Sequence, residues 1–436
     1  MAAGTAEKNF VHPALLTVPV TAALEKVILV GIGLKSEAGL MASSLEELRS
    51  LAETAGAKVV AEHAQAMRRY HPGSLIGKGK IQEIAASVAG QKADTVVFDM
   101  ELAAAQQKNL ERALRAKIID RTRLILDIFA KRARTSEGRL QVELAQLSYL
   151  LPRLTGAWRS YSQQVGGIGT RGPGERQLEY ERRHIQYRIL HLKKDLERVR
   201  RQRGLRRQKR LSVPVPQIAL VGYTNVGKST LLNALTRGAA RVYADDKLFA
   251  TLDPTSRRVR LPDHSWVIAT DTVGFIQRLP TTLVAAFRST LEEVQLADCL
   301  VVVADALAEN LEEQDKAVDD IIEELGAKDV PQARVFNKID RIDFRQRKNL
   351  ERRYPDRLLI SAATGEGMPS ILERIQESLR GWVIRDLDLP VSAARHTEDI
   401  YQCAQVLSKT DSADKVRYRL RLTPENWSRL QKKLNL

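Results

Sequence analysis

A phosphate-binding loop stands near the middle of the chain, at Gly222-Tyr223-Thr224-Asn225-Val226-Gly227-Lys228-Ser229. It follows the apolar run 218–221 and precedes a helical stretch that begins at Thr230, so its context is strand, glycine-rich turn and helix. Glycines let backbone N–H groups approach phosphate oxygens, and the helix N-terminus adds donors and a favourable dipole. We expect the Lys228 ammonium to reach the β- and γ-phosphates and the Ser229 hydroxyl to ligate Mg²⁺. A chance match in an ordinary turn is the alternative, and the flanking strand and helix argue against it.

A second stretch, Asp271-Thr272-Val273-Gly274, follows an apolar run at 266–269 that has the composition of a strand. An aspartate at a strand end can hold the coordination shell of Mg²⁺, and the Gly274 N–H can donate to a γ-phosphate.

Two later loops have the composition that recognises a guanine base: Asn337-Lys338-Ile339-Asp340 and Ser361-Ala362-Ala363. The Asp340 carboxylate can accept both N–H donors of the guanine N1 and N2 edge, which adenine does not offer, so adenine would leave the carboxylate unpaired. We expect the backbone of the second loop to contact the base O6. Asn-Lys-x-Asp alone is a weak signal, but all these stretches in order predict a guanine-nucleotide domain that binds GTP or GDP with Mg²⁺.

The first switch segment is predicted at Phe249-Ala250-Thr251-Leu252-Asp253. We assign Thr251 as the threonine that contacts Mg²⁺ and the γ-phosphate, with Thr255 as the competing candidate. The predicted catalytic groups are Lys228, Thr251 and Gly274, and the predicted metal ligands are Ser229, Thr251 and Asp271. Phe275 follows Gly274, where Ras-like GTPases carry the glutamine that positions water. A phenyl ring cannot do this, so we expect slow free hydrolysis and a site completed by a partner or a rearranged switch.

The composition of the chain limits its number of domains, its partners and its location. Its 436 residues, 44% of them apolar, suffice for about three domains. The net charge of +16 favours a polyanionic partner such as RNA, DNA or an acidic membrane surface. Cys299 and Cys403 cannot form a disulfide framework, and Cys299 lies in an apolar run that predicts a buried strand. Apolar runs are too short for a membrane span, and the first residues lack a secretory pattern, so we expect a cytoplasmic protein.

Alternating strand and helix patterns predict a small parallel α/β domain over residues 24–137. A second phosphate loop is one interpretation of its segment 73–80, Gly-Ser-Leu-Ile-Gly-Lys-Gly-Lys. Ile81 stands where Ser or Thr is required, so a surface turn with a basic helix start is the preferred interpretation.

Residues 138–211 predict an antiparallel coiled-coil hairpin. Leucines from Leu140 to Leu151 recur at helical spacing, and we expect this first helix to end at Pro152. A second helix is predicted from Glu175 to about Arg207, with a seam of apolar residues that starts at Ile185 and proceeds in steps of four and three residues.

The second hairpin helix is strongly basic, with thirteen Lys or Arg and two acidic residues between Arg182 and Arg210. A solvated coiled-coil face is the alternative, but such faces usually mix both signs, so we favour contact with a polyanion. Glycines at the tip can admit the backbone to a narrow groove, and Trp158 and Tyr161 can stack on bases. The predicted RNA contacts are Arg153, Gly166, Gly167, Gly169, Arg171, Arg182, Arg183 and Arg188.

The remaining pattern predicts a doubly wound P-loop GTPase domain over 216–383 and a small C-terminal α/β domain over 384–436. In the latter we expect a helix around Glu398 to Val406, a strand from Val416 to Leu422 and a helix from Pro424 to Lys433.

The chain resembles the HflX family, in the Obg-HflX group of P-loop GTPases. Besides the nucleotide motifs, the resemblance is carried by three stretches: 119–130 (IDRTRLILDIFA), 140–145 (LQVELA) and 166–175 (GGIGTRGPGE). It implies a cytoplasmic GTPase that binds the large ribosomal subunit and its RNA and dissociates stalled or idle ribosomes, with the hairpin tip reaching toward the peptidyl-transferase centre. We expect a monomer without stable membrane insertion.

Two other functions share these features. A large-subunit assembly factor without splitting activity would carry every motif. A GTP-controlled scaffold on an acidic membrane surface would bind lipid through the basic hairpin. The apolar seam argues against this function, because we expect it to pack on the partner helix.

Overall fold

The computed structural model describes residues 24–157, 173–211, 215–236, 248–249, 254–276, 293–308, 310–379, 381–390, 397–412 and 415–434. The described part contains three β-sheets that follow one another along the chain, with a long helical hairpin between the first and the second. The predicted fold class, α/β with a P-loop domain, is confirmed.

The first sheet has four parallel strands in the order β2-β1-β3-β4, with helices on both faces. Because both faces are covered, the central strands β1 and β3 are buried apolar runs. The α2 and α3 face and the α1 and α4 face each enclose an apolar core. The elements are β1 (Lys26–Leu34), α1 (Ala38–Ala55), β2 (Lys58–Met67), α2 (Lys78–Gln91), β3 (Thr95–Phe98), α3 (Ala104–Leu114), β4 (Lys117–Asp120) and α4 (Arg121–Arg132).

The hairpin consists of α5 (Ser136–Ala157) and α6 (Pro173–Leu211). Arg188 of α6 donates from Nε and Nη2 to the Glu143 carboxylate of α5, at 2.7 and 2.9 Å. Glu143 and Arg188 lie at nearly equal distances from the ends that the hairpin turn connects, as antiparallel packing requires. The predicted seam is confirmed at Leu192, which is fully buried, and at Ile189.

The end of the first hairpin helix was predicted incorrectly. The helix does not end at Pro152 but continues to Ala157 with the proline inside it. Its most buried apolar side chains are Val142, Ala145 and Tyr149, not the leucines, because α5 also packs on the core beneath the first sheet. The helix α5 therefore has two partners, α6 and the first sheet.

The second sheet has the order β10-β9-β8-β5-β7-β6 and is parallel except for the edge strand β6. Two apolar cores cover its faces, one with α7 and α10 and the other with α8. The elements are β5 (Gln217–Gly222), α7 (Lys228–Leu235), β6 (Thr255–Arg260), β7 (Trp266–Asp271), β8 (Cys299–Asp305), α8 (Leu311–Glu324), β9 (Gln332–Asn337), α9 (Phe344–Arg353), β10 (Leu358–Leu359) and α10 (Met368–Ser378). Cys299 is buried in β8, as predicted.

The third sheet is antiparallel, in the order β11-β13-β12. The helix predicted around Glu398 to Val406 ends at Cys403, and the following residues form a strand that was not predicted. The Arg421 guanidinium contacts the Asp263 carboxylate at 3.1 Å and the Ser265 hydroxyl, which attaches this sheet to the second one. The elements are β11 (Val383–Pro390), α11 (Thr397–Cys403), β12 (Gln405–Asp411), β13 (Lys415–Leu422) and α12 (Pro424–Leu434).

None of the helices in the described ranges combines the length and apolar composition that a membrane crossing requires. The sequence from Leu279 to Glu293 also predicts a helix that the second switch would move, and residues 277–292 lie outside the described ranges.

A buried ionic network connects the first sheet to the phosphate loop. Arg121, at the start of α4, contacts the Asp99 carboxylate at 2.7 Å and also the Glu47 carboxylate of α1. Ser44 donates to Asp99 at 2.5 Å. The Tyr223 hydroxyl of the phosphate loop donates to Glu47, so a side chain of the nucleotide domain completes the network.

Replacing Arg121 with leucine should destabilise the first sheet strongly. Asp99 and Glu47 would lose the cation between them inside the protein, and breaking a buried ion pair from one side costs about 3–5 kcal/mol. Arg49→Leu is the matched control, because the Arg49–Glu62 pair has an arginine side chain that is 47% exposed and should contribute about 1 kcal/mol or less. Urea unfolding of the full chain measures both. Equal losses of unfolding free energy would contradict a central role for the Arg121 network.

Candidate nucleotide site

The phosphate loop requires glycine at two positions where the backbone has positive φ. Gly222 has φ +150° and Gly227 has φ +89°. A β-carbon at Gly222 would lie 2.2 Å from the Val303 carbonyl oxygen, and one at Gly227 would lie 2.4 Å from Asn337 Nδ2. Conformation and space therefore both exclude larger residues. The loop ends at the N-terminus of α7, whose first residue is Lys228.

The Lys228 side chain folds back under the loop. Its Nζ donates to the carbonyl oxygens of Tyr223 and Gly222, at 2.7 and 3.1 Å. Burial lowers the pKa of the Lys228 ammonium to about 8, against the opposing effect of the Asp271 carboxylate. An ammonium held in this position can meet phosphate oxygens that are bound over the loop.

The two predicted metal ligands in the described residues are neighbours. Ser229 Oγ donates to Asp271 Oδ2 at 2.6 Å. Asp271 is the last residue of β7, and Thr272 Oγ1 donates to the Leu220 carbonyl oxygen at 2.6 Å, which ties β7 to β5. A hydroxyl and a carboxylate are oxygen ligands of the kind Mg²⁺ prefers, so this pair fits the ion.

The segment after Asp271 lies directly against the phosphate loop. Thr224 N–H donates to the Phe275 carbonyl oxygen at 2.8 Å, and Phe275 N–H donates to the Gly222 carbonyl oxygen at 3.0 Å. A β-carbon at Gly274 would lie 2.7 Å from Thr224 Cα and 2.9 Å from Lys228 Nζ. The Gly274 backbone is thus held beside Lys228, and the predicted contact of its N–H with a γ-phosphate stays a prediction.

The base-recognition loops are joined to the phosphate loop through Asn337. Its Nδ2 donates to the Val226 carbonyl oxygen at 2.8 Å, and its Oδ1 accepts from the Ala362 N–H at 2.9 Å. Ser361 Oγ donates to Asp340 Oδ1 at 2.6 Å, which orients that carboxylate. Asn337 is 2% exposed, so it organises both loops from inside.

The sequence motifs do not indicate two acidic residues near the site, Asp305 and Glu47. Lys338 Nζ pairs with Asp305 Oδ2 at 2.7 Å, and Asp305 ends β8; an acidic residue at a strand end was the available signal. Glu47 contacts Tyr223 from another domain, and nothing in its local sequence indicates that contact.

The first switch segment is only partly described. Phe249 is buried, and its ring lies against Phe129 of α4 with centroids 4.6 Å apart. Thr255 lies in β6, where it pairs with Asp271 of β7. Ala250, Thr251, Leu252 and Asp253 lie outside the described residues, so the assignment of Thr251 stays a prediction.

The predicted RNA contacts fall into three groups. Gly166, Gly167, Gly169 and Arg171, like Trp158 and Tyr161, lie outside the described residues. Arg182 is exposed on α6, while Arg183 pairs with Glu179 at 2.6 Å and Arg188 with Glu143.

Arg153 has an internal position. Its guanidinium donates to the carbonyl oxygens of Leu102 and Tyr149, at 2.7 and 2.9 Å, and to Asp120 Oδ2 at 3.1 Å. With a side chain only 13% exposed, it holds α5 to the first sheet, and its donors face protein acceptors instead of RNA as predicted.

Three family models match consecutive parts of the chain. One described as GTP-binding GTPase N-terminal matches residues 42–130, and one described as GTP-binding GTPase Middle Region matches 132–210. A model described as 50S ribosome-binding GTPase matches 217–338.

Curated relatives agree with these matches. GTPase HflX of Caldanaerobacter subterraneus subsp. tengcongensis is 50% identical over 336 residues, which cover 77% of each chain. GTPase HflX of Escherichia coli strain K12 is 45% identical over 392 residues, covering 89% of this chain and 92% of the relative. The chain belongs to the HflX family of GTPases. The predicted activity, hydrolysis of GTP to GDP, is thereby confirmed.

Among solved structures, a GTP-binding protein of the archaeon Sulfolobus solfataricus in complex with GDP is 24% identical to this HflX-family chain. The superposition covers 82% of this chain and 99% of the archaeal one, with a TM-score of 0.42.

Asn337→Ala should weaken GDP binding at least tenfold, although we do not expect Asn337 to contact the phosphates. The change removes two buried hydrogen bonds that join the loops, each worth about 1 kcal/mol net and more when a partner is left unsatisfied. Titration with a fluorescent GDP derivative measures the affinity. Asn349→Ala, at an exposed position of α9, is the control and should bind like the unaltered protein. Unchanged affinity in Asn337→Ala would refute the organising role.

Proposed function

We propose that this HflX-family GTPase binds the large ribosomal subunit and its RNA, and separates stalled or idle ribosomes in a GTP-dependent way. The observation that carries the proposal is a single apolar cluster that contains residues beside both predicted switch segments and residues of the hairpin helix α5. A GTPase whose switches pack on the base of a long basic hairpin has a direct route from nucleotide state to a polyanionic partner.

The nucleotide roles are assigned from the site geometry. Lys228 meets the β- and γ-phosphates, and the backbone of 222–227 together with Thr230 surrounds them. Ser229 and Asp271 would hold Mg²⁺, and Thr251 is assigned as the further ligand in the GTP-bound protein. The ion supplies charge neutralisation at the phosphates, while Gly274 donates its N–H to the γ-phosphate.

The base roles follow from the connected loops. Asp340, oriented by Ser361, accepts from the guanine N1 and N2 donors. Lys338 and Ile339 form the floor of the base site, and the backbone of Ala362 and Ala363 lies toward the base O6. Phe249 to Asp253 and Thr272 to Gly274 form the segments that respond to the γ-phosphate.

Coupling to the hairpin passes through packed side chains. The cluster contains Phe249 and Val273 from the two switch ends, and Val142 and Tyr149 from α5. If GTP orders the switches in the ribosome-bound form, then GTP must tighten ribosome binding and the ribosome must tighten GTP binding by the same factor. Close-packed interiors favour two discrete arrangements over gradual deformation.

The partner surface is the basic hairpin. In the part of α6 whose side chains are described, Arg182, Lys193 and Lys194 are exposed. Such charges attract RNA phosphates and make the affinity dependent on salt concentration. We further propose that the protein acts as a monomer in the cytoplasm.

Asp340→Asn should reverse base preference from guanine toward xanthine nucleotides. An amide nitrogen in place of one carboxylate oxygen faces the guanine donors with another donor, whereas xanthine presents a carbonyl at the same edge. Loss of a matched polar pair in a specific site costs a factor of about 10⁴. Competition of GDP and XDP against a fluorescent GDP derivative measures the change. Asp343→Asn, at the cap of α9, is the control and should keep guanine preference.

Turnover of GTP by the free protein should be slow and should rise strongly with purified large subunits. Intact ribosomes incubated with the protein and a non-hydrolysable GTP analogue should convert to subunits in a sucrose gradient. Stimulation without conversion would favour an assembly factor. Absence of stimulation, with pelleting on anionic vesicles at physiological salt, would favour the membrane-surface scaffold.

A further inference from the structure

A line of tyrosine, histidine and basic side chains runs along the outer face of α6. Its members recur at steps of four and three residues, which places them on one face of a helix: Tyr180, His184, Tyr187, His191, Lys194 and Arg198. We call this set the α6 stripe. The apolar seam toward α5 lies five residues further at each step, so the stripe and the seam are about 140° apart around the helix.

The stripe exposes aromatic surface that helix packing does not use. Tyr180 is 70% exposed and Tyr187 is 62% exposed. The Tyr187 ring lies against the His191 ring with centroids 4.2 Å apart and planes tilted by 53°. A single exposed aromatic residue is ordinary, but two tyrosines seven residues apart with histidines between and beyond them form a continuous stacking surface.

The charge of the stripe has one sign. No carboxylate lies among its members, and Lys194 and Arg198 extend it toward the basic part of α6. The nearest acidic residues of α6 in the described range, Glu181 and Asp195 among them, lie to the sides of this line. Asp195 is 3.8 Å from Arg198, and both side chains are exposed, so this pair is weak.

We propose that the α6 stripe binds an unpaired segment of RNA by stacking nucleobases on Tyr180 and Tyr187 while Lys194 and Arg198 contact its phosphates. This inference rests on the proposed function, since it assigns a place and a kind of RNA to the ribosome contact. The two tyrosines are about 10 Å apart along the helix axis, which matches about three base-stacking steps.

The chemistry of the stripe favours RNA over other occupants. A second copy of this chain would bring no carboxylate in its own stripe to pair with Lys194 and Arg198. A lipid surface requires a broad apolar face, whereas the stripe is a narrow line of two tyrosines and two histidines followed by a lysine and an arginine. Exposed aromatic rings combined with neighbouring cations are the arrangement that binds single-stranded nucleic acid without base selection.

Three variants of the full chain test the stripe. Tyr180→Leu combined with Tyr187→Leu removes the rings and keeps apolar side chains, and the corresponding double Phe variant keeps the rings. Tyr401→Leu alters an exposed tyrosine of α11, far along the chain from the hairpin, and is the control. Each is titrated with a fluorescent single-stranded uridine RNA of about twelve nucleotides and with an RNA duplex of equal length.

The double Leu variant should bind the single strand at least about tenfold more weakly, and the double Phe variant should bind like the unaltered protein. The slope of affinity against salt concentration should not change, because no charge is removed. Unchanged affinity in the double Leu variant would overturn the proposal. So would an equal loss in the double Phe variant, or an equal loss for the duplex, since neither follows from stacking.

Binding to purified large subunits with a GTP analogue separates this proposal from the proposed function. Binding by the unaltered protein that is weakened in the double Leu variant supports both. Equal binding by both proteins leaves the proposed function standing and overturns the stripe as its RNA contact. If the unaltered protein does not bind large subunits, the proposed function itself fails. Self-association that disappears in the double Leu variant would identify a second copy as the occupant instead.

Discussion

The relative position of the first α/β domain and the nucleotide-binding domain depends on the Glu47 carboxylate. It lies between the Arg121 guanidinium and the Tyr223 hydroxyl, so it belongs at once to the first sheet and to the phosphate loop. Burial lowers the pKa of Arg121, but the carboxylates of Glu47 and Asp99 raise it above its ordinary value, and the guanidinium stays charged. A buried pair of this kind contributes little net stability, yet removal of one member leaves an uncompensated charge. The network therefore lowers the free energy of one relative position of the two domains below that of nearby positions.

The apolar cluster around this network connects the switch segments to the first domain. Phe249 packs edge-on against Phe129, and Leu248 N–H donates to Thr54 Oγ1 of α1 at 3.3 Å. The ends of the switch segments thus use the first domain as part of their own core. Any nucleotide-dependent displacement of Phe249 must also repack α4 or α5, because an interior at crystal-like density has no free volume to absorb it. A long helical hairpin that begins in the same cluster amplifies a small rotation at its base into a larger displacement at its tip.

The nucleotide motifs could be located from sequence because each is a short run with its own local geometry. Gly222 and Gly227 need positive φ and space, and those requirements act on the residues themselves. Contacts between distant segments have no such local signal. Glu47 meets Tyr223 across 176 residues, and Arg153 is held by Asp120 across 33, so a basic residue near a basic helix was wrongly assigned to RNA.

Helix periodicity was informative only where a helix has one partner. The seam of α6 was predicted correctly, whereas α5 divides its surface between α6 and the first sheet. The missed strand Gln405–Asp411 was obscured for a related reason. Its outer residues are polar and only its first residues are shielded, so it lacks the alternation by which strands are recognised.

Phe275 shows why a motif residue must be read in its structural setting. The absent glutamine suggests only a missing catalytic group, but the ring is 2% exposed and packs with residues of β5, β8 and α8. Its backbone forms the two hydrogen bonds that pin the phosphate loop to the segment containing Gly274. An apolar residue here anchors the second switch to the domain core and keeps Gly274 beside Lys228. A glutamine at this position would face that core unless the segment moved outward, and it would then release the same bonds. The structure therefore uses this position for anchoring, and a phenyl ring so placed cannot orient an attacking water.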